Sequence, residues 1–160
     1  MEQQKKLSVT LEIIFWIVTV ILCIGVLYPI HNNFNNFPFL GKNVLAIIVF
    51  VSYTRYVFLW QYTLFATSTA IRIAFIITAI PLVFYLIQNM NGFQSYLDDY
   101  GYDAFMDLSK RELSDGAKAE LLQYIKSEFL FFNTGAVISG IFLPLRMIMS
   151  FWRTKNNKGV

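Results

Sequence analysis

The chain is poor in charge, cysteine and histidine, and each shortage excludes a class of protein. Only 14% of its 160 residues are charged and 56% are hydrophobic, whereas soluble domains are about a quarter charged. Its one cysteine, Cys23, cannot form an intramolecular disulfide, and its one histidine, His31, cannot build a His and Cys cluster with metal-ligand spacing. The composition therefore predicts a membrane protein without a metal site or a disulfide framework.

Sequence signatures of common enzymes are also missing. The sequence has no phosphate-binding glycine loop and no Gly-x-Ser-x-Gly elbow. Asp98, Asp99, Asp103 and Asp107 lack the regular ligand spacing of a calcium loop, so they predict a solvated acidic face. The net charge of +3 comes from basic residues near the ends of apolar segments, which is typical of membrane topology and not of nucleic-acid binding. We expect a protein that is not an enzyme and holds no cofactor.

The sequence is dominated by four long apolar segments. At 1.5 Å per residue, segments of this length cross a hydrocarbon core of about 30 Å as helices. They cover residues 11–30, 44–65, 70–88 and 129–152, approximately. The first segment is too long for a signal peptide and lacks a small-residue cleavage site, so it should stay attached. The whole chain, 1–160, is thus interpreted as a single membrane domain.

The connections differ in character. Residues 31–39 mix Asn and Pro with three Phe, which predicts a tight loop pressed against the bilayer interface. A short polar turn at Thr67 joins the second and third helices. Residues 91–128 are rich in acids, and Ser114-Asp115 predicts the start of a helix that runs directly into the fourth span. This acidic segment is the only sizeable polar portion.

Orientation follows from the basic residues. Lys5 and Lys6 precede the first helix, Arg72 follows the turn at Thr67, and Lys158 lies in a basic C-terminal tail. Basic residues favour the cytoplasmic side, so both termini are predicted to be cytoplasmic and the acidic segment extracytoplasmic. The sequence lacks Asn-x-Ser/Thr glycosylation sites, which is compatible with a bacterial inner membrane.

Arg55 is the leading candidate for a functional residue. It stands near the middle of the second predicted helix, where an ionised side chain is costly without a partner or water. It can bind a solute or a partner subunit. Alternatively it is a structural staple, bonded to backbone carbonyls or to Tyr and Thr hydroxyls.

Three more charged residues fall on the predicted cytoplasmic side of the helices: Glu12, Arg72 and Arg146. We expect an ion cluster there with Arg55. One acid cannot balance three arginines, so anionic lipid headgroups, acids of a larger membrane partner or a transported anion would supply the missing charge. In the simpler interpretation, Arg72 and Arg146 stay hydrated near the interface.

Small residues form a strip on the fourth helix. Gly135 and Ser139, and likewise Ala136 and Gly140, are four residues apart, so they share a face that lets another helix approach closely. The strip serves packing within one bundle or between copies in a homo-oligomer. Asn133 is expected to add an interhelical hydrogen bond.

The sequence predicts an all-α protein, a four-helix transmembrane bundle in the cell membrane. Its expected function is that of a non-catalytic accessory or scaffold subunit of a membrane assembly. The alternative is a small transporter or channel for an anion or a lipid-like solute, with Arg55 as the binding group. An enzyme acting on lipid would need an acid and base pair that these residues do not supply.

Overall fold

The structure, a computed structural model, describes residues 2–66, 68–101, 105, 107–110 and 112–156. The helices are α1 (Glu2–Asn33), α2 (Leu40–Leu59), α3 (Thr69–Tyr100) and α4 (Asp115–Asn156), with a 3₁₀ turn at Trp60–Tyr62. Thr67, Asp103 and Lys158, named above, lie outside the described residues. All four helices are long and apolar enough to cross a membrane, which confirms the all-α class and the count of four.

The helix boundaries differ from the predicted spans. α2 begins at Leu40 and ends at Leu59, earlier at both ends than predicted, and Trp60–Tyr62 tightens into the 3₁₀ turn. α3 continues well past residue 88 to Tyr100, because a helix need not end where its hydropathy falls. The predicted start at Ser114-Asp115 is confirmed, since α4 runs unbroken from Asp115 and the Ser114 hydroxyl accepts a hydrogen bond from Ala117 N–H.

The first and third connections meet at one end of the bundle. Asn35 N–H donates to the carbonyl oxygen of Leu108 at 2.8 Å, and Lys110 N–H donates to that of Asn33, also at 2.8 Å. The Lys110 ammonium caps the carbonyl of His31 at 2.6 Å. Asn36 adopts the left-handed conformation, with φ of 50°, which Asn tolerates better than most residues. These bonds join the two connections although 70 residues and more separate them in sequence.

Beneath these connections lies an aromatic cluster. It consists of Phe34, Phe37, Phe39, Phe93, Tyr96, Phe105 and Phe129. The centroids of Phe93 and Phe129 are 4.2 Å apart and their rings are stacked. The sequence suggested that the phenylalanines of the first connection press against the bilayer, and this was wrong. They are turned inward and buried, because other rings of the protein offer them packing partners.

α2, α3 and α4 form the core, and α1 packs along its side, mainly against α2. Ala46, Leu86, Ala136 and Leu143 are fully buried between the three core helices. The outward faces remain apolar: Ile21 and Ile24 of α1 are each 63% exposed, as is Phe84 of α3. Such faces are suited to hydrocarbon and not to water, in agreement with a membrane bundle.

Candidate functional site

A buried ion pair joins α1 to α2. The Arg55 guanidinium donates to the Glu12 carboxylate, and the two side chains are only 4% and 16% exposed. The Tyr56 hydroxyl lies 3.5 Å from the other Glu12 oxygen. The Phe15 ring, 5.0 Å from the guanidinium carbon, covers the pair from α1. Charge, hydrogen bonding and a cation–π contact thus converge on Arg55 from within this one chain.

The depth of Arg55 differs from the prediction. Because α2 ends at Leu59, Arg55 lies in its last turns and not at its middle. It is seven residues from Tyr62, or about 10 Å along a helix axis. Glu12 stands at the corresponding end of α1, so the antiparallel packing of α1 on α2 brings the two charges to the same level. The pair therefore lies toward the end of the bundle that contains the α2–α3 turn.

The other two arginines bind backbone carbonyls. The Arg72 guanidinium donates to the carbonyl oxygen of Ala66 in the α2–α3 turn. Arg146 Nε on α4 donates to the carbonyl oxygen of Val57 at 3.1 Å. Carbonyl oxygens carry partial negative charge, and those near the end of a helix lack intrahelical donors, so they suit cationic side chains. Arg146 in this way ties α4 to the last turn of α2.

The strip of small residues on α4 faces the other core helices. A Cβ atom built on Gly135 would lie 2.7 Å from two ring atoms of Phe50 on α2. One built on Gly140 would lie 2.6 Å from a methyl carbon of Val83 on α3. Ala136 is fully buried, and the Ser139 hydroxyl donates to the carbonyl of Ala136 at 3.1 Å. The two glycines thus let α2 and α3 approach α4 inside the chain.

The bundle contains a buried polar layer of which the sequence indicated only Asn133. It comprises Asn43, Asn89, Glu128 and Asn133, whose exposed fractions are 0%, 3%, 7% and 0%. The Asn43 amide donates to the Glu128 carboxylate across α2 and α4. The sequence placed Glu128 at the edge of the solvated acidic segment, but α4 carries it into the bundle. Asn133 donates to Phe129 of its own helix at 2.9 Å, and not across helices as expected.

A spacing repeated in three helices places the asparagines at a similar level of the bundle. Each is four residues from a member of the aromatic cluster: Asn43 from Phe39, Asn89 from Phe93, and Asn133 from Phe129. Residues four apart share a helix face, one turn removed. Because α3 runs opposite to α2 and α4, all three steps point away from the connections and into the bundle. That Phe–Asn spacing is the signal by which sequence alone could have found the layer.

A groove opens between α2 and α4 on the outer surface. It has a volume of about 450 Å³ and is lined by Phe50, Thr54, Val57, Phe58, Gly135, Ile138, Ser139 and Phe142. Phe58 at its rim is 73% exposed. Gly135 also lines this groove, where the Phe50 ring packs against its backbone, so the strip of small residues borders the groove as well as the core.

No protein-family model, curated protein or solved structure shows a significant match to this chain. Within the part of the chain that the structure describes, no three His, Cys, Asp or Glu side chains are grouped so as to hold a metal ion. The described residues thus form a buried ion pair, a buried polar layer and an apolar groove, and these are the features that bear on function.

Proposed function

We propose that the chain is a non-catalytic accessory or scaffold subunit of a larger assembly in a bacterial inner membrane. In this proposal both termini are cytoplasmic, and the acidic residues between α3 and α4 face the opposite side. The observation that best supports this proposal is the α2–α4 groove, an indentation of about 450 Å³ on a helix surface that otherwise faces lipid. A groove lined by a glycine and large apolar side chains suits a bulky side chain of a neighbouring transmembrane helix.

The Glu12–Arg55 pair supports a structural role over anion transport. An anion bound by Arg55 would have to displace a carboxylate of the same chain that already neutralises the guanidinium. The aromatic rings of Phe15 and Tyr56 lie within 5.0 and 5.4 Å of the guanidinium carbon and restrict access further. The surroundings of Arg55 therefore do not support its use as the anion-binding group of a transporter.

Site-specific photocrosslinking in the native membrane tests the proposal. A photoreactive residue replaces Phe58 at the groove, and a matched one replaces Ile77, which is 64% exposed on the face of α3. We expect Phe58 to crosslink to one membrane protein that also copurifies stoichiometrically in mild detergent, whereas Ile77 does not. Crosslinks to lipid alone, with recovery of a single species, would contradict the subunit. A crosslink to a second copy would replace it with a homo-oligomer.

A further inference from the structure

The hydrogen bonds of the buried polar layer do not balance if Glu128 is ionised. One Glu128 oxygen accepts from the Asn43 amide, but the other has no hydrogen-bond partner among the described residues. The side-chain oxygens of Asn43 and Asn133 also lack a donor there, and the layer offers one unpaired donor, the amide nitrogen of Asn89. Three acceptors thus stand against one donor, although buried polar groups in a membrane bundle are expected to be paired.

A single proton on Glu128 restores the balance. It converts one acceptor oxygen into an O–H donor, so this hydroxyl and the Asn89 amide match the two remaining acceptors, the oxygens of Asn43 and Asn133. Rotation of an asparagine amide does not achieve this. Turning Asn133 by 180° would give up its bond to the Phe129 carbonyl, and turning Asn43 would set its oxygen against the Glu128 oxygen that its amide now contacts.

The contact between Asn43 and Glu128 has the composition of an acid–amide pair. In such a pair the amide N–H donates to the carbonyl oxygen of the acid, and the acid O–H donates to the amide oxygen. The first of these bonds is present in the structure. The two unpartnered oxygens left on these groups are the atoms that the second bond would join, so a proton would tie α2 to α4 twice.

The charged groups around Glu128 do not compensate a carboxylate. Its side chain is buried, and it forms no salt bridge within the described part of the chain. On the same helix, Tyr124 lies one turn earlier, and its hydroxyl donates to the carbonyl oxygen of Val26 on α1. Lys126 is two residues away, which places it on the opposite side of α4.

The two other core helices bring no compensating charge either. On α2 the ammonium group of Lys42 lies over the ring of Phe39, 5.0 Å from its centroid. The buried residues of α3 around this level are uncharged: Leu86, Asn89 and Phe93. A buried acid without a cation beside it is more stable with its proton than without it.

We infer that Glu128 is a carboxylic acid that keeps its proton at neutral pH, and that this bound proton joins α4 to α2 through Asn43. A glutamate in water is ionised at neutral pH, so unfolding releases the proton. The stabilisation is therefore complete in acid and declines as the pH rises. This proton-binding site goes beyond the proposed subunit function and does not depend on it.

Infrared difference spectroscopy of the full chain in mild detergent detects the proton directly, because an un-ionised carboxyl group and a carboxylate absorb at different frequencies. Subtracting the spectrum of Glu128→Gln from that of the parent chain at neutral pH isolates this one group. We expect the difference to contain the acid band and no carboxylate band. Asn43→Ala should shift the acid band to the frequency of a carbonyl without a hydrogen bond, whereas Asn133→Ala should leave it in place.

The pH dependence of unfolding in mixed micelles gives a second readout. Between about pH 6 and 8, the unfolding equilibrium constant of the parent should rise by up to about tenfold per pH unit relative to that of Glu128→Gln. The amide N–H of the variant replaces the acid O–H, so Glu128→Gln should be at least as stable as the parent at neutral pH. Histidines titrate in the same range, but His31 is present in both chains and its contribution cancels.

A matched control separates the site from other acids. Glu120→Gln removes an exposed carboxylate from the same helix and should keep both the acid band and the pH dependence of the parent chain. Loss of either property in this control would contradict the assignment to Glu128.

Three results would overturn the proposal. The first is a carboxylate band in the difference spectrum at neutral pH. The second is unfolding of the parent with the same pH dependence as Glu128→Gln. The third is an acid band that shifts in Asn133→Ala and not in Asn43→Ala. If Glu128→Gln does not fold, the spectrum of the parent alone decides: an acid band at neutral pH, where exposed acids are ionised, supports the proton, and its absence refutes it.

Discussion

Arg55 of α2 and Glu12 of α1 form a buried ion pair across 43 residues of sequence. α1 otherwise lies at the side of the core and presents much of its apolar surface outward. Between helices in hydrocarbon, burial of apolar surface drives association only weakly, because lipid is as apolar as the side chains. The pair therefore supplies a specific contact that fixes the depth and rotation of α1 against α2.

Breaking one half of this pair should be strongly destabilising. Glu12→Gln leaves the Arg55 charge uncompensated at a site where its side chain is 4% exposed. Loss of one member of a buried pair costs about 3 kcal/mol or more in soluble proteins. We expect a comparable loss in the free energy of unfolding, measured by denaturation of the chain in mixed micelles. Arg55→Ala should behave similarly.

Replacing both members together should restore most of this stability, because a pair of apolar side chains of similar size satisfies the same contact. The double variant Glu12→Leu with Arg55→Met provides that comparison. Lys118→Ala is the control, since its pair with Asp115 is exposed and spans 3.6 Å, and it should change stability little. A double variant less stable than either single one would contradict a purely structural role for the pair.

Glycine substitutions on α4 and on α3 should have effects of opposite sign. Gly140→Ala would place a Cβ atom 2.6 Å from Val83, and Gly135→Ala would place one 2.7 Å from Phe50. Overpacking of this kind costs about 1–3 kcal/mol. Gly92 lies on α3 with no atom within 4 Å of an added Cβ, so Gly92→Ala should stabilise by about 0.4–1 kcal/mol. Thermal unfolding of the three variants gives the comparison.

A second substitution, at Val83, should relieve the crowding that Gly140→Ala introduces. Val83→Ala removes the methyl groups that meet position 140, so the combination with Gly140→Ala should be less destabilised than the two single costs added together. Strict additivity would show that α3 does not approach α4 at Gly140.

The helices themselves could be predicted from hydropathy, because apolar runs of this length have few other uses. The residues at which the helices begin and end could not be predicted in this way. α2 begins at Leu40, ahead of the apolar run, because Phe39 docks into the aromatic cluster and starts the helix there. α3 passes its predicted end because Phe93 and Leu97 continue its buried face through polar sequence to Tyr100. Both shifts come from tertiary packing, which a hydropathy window does not detect.

The charged site was predicted in part. Glu12 and Arg55 were singled out because charges are rare in apolar segments, and that rule is strong. Which arginine meets Glu12 depends on the register of α1 against α2, and hydropathy carries no information about register. Of the polar layer only Asn133 was singled out from the sequence, because Asn43 and Asn89 give no signal by themselves and because Glu128 follows several acids that are exposed. Only the shared spacing from Phe39, Phe93 and Phe129 connects them.

The aromatic cluster should carry much of the stability at its end of the bundle. Phe129 is fully buried, with its ring 4.2 Å from Phe93 and 5.9 Å from Phe39. Truncation of a buried phenylalanine costs about 3–5 kcal/mol, so Phe129→Ala should lower the free energy of unfolding by that order. Phe84→Ala is the control, because that ring is 63% exposed and faces outward. Equal losses in both variants would show that the cluster holds no special share of the stability.

The proposed orientation can be measured with single cysteines, because Cys23 is the only native one and Cys23→Ser removes it. Asn35 lies in the first connection, and Gln61 lies in the turn at the opposite end of the bundle; both are exposed. Since basic residues flank the end that carries Gln61, we expect it to face the cytoplasm. A membrane-impermeant maleimide should then label Asn35→Cys in intact cells and Gln61→Cys only after permeabilisation. The reverse pattern would invert the topology, and labelling of both sites in intact cells would contradict a four-span bundle in which these two connections lie on opposite sides of the membrane.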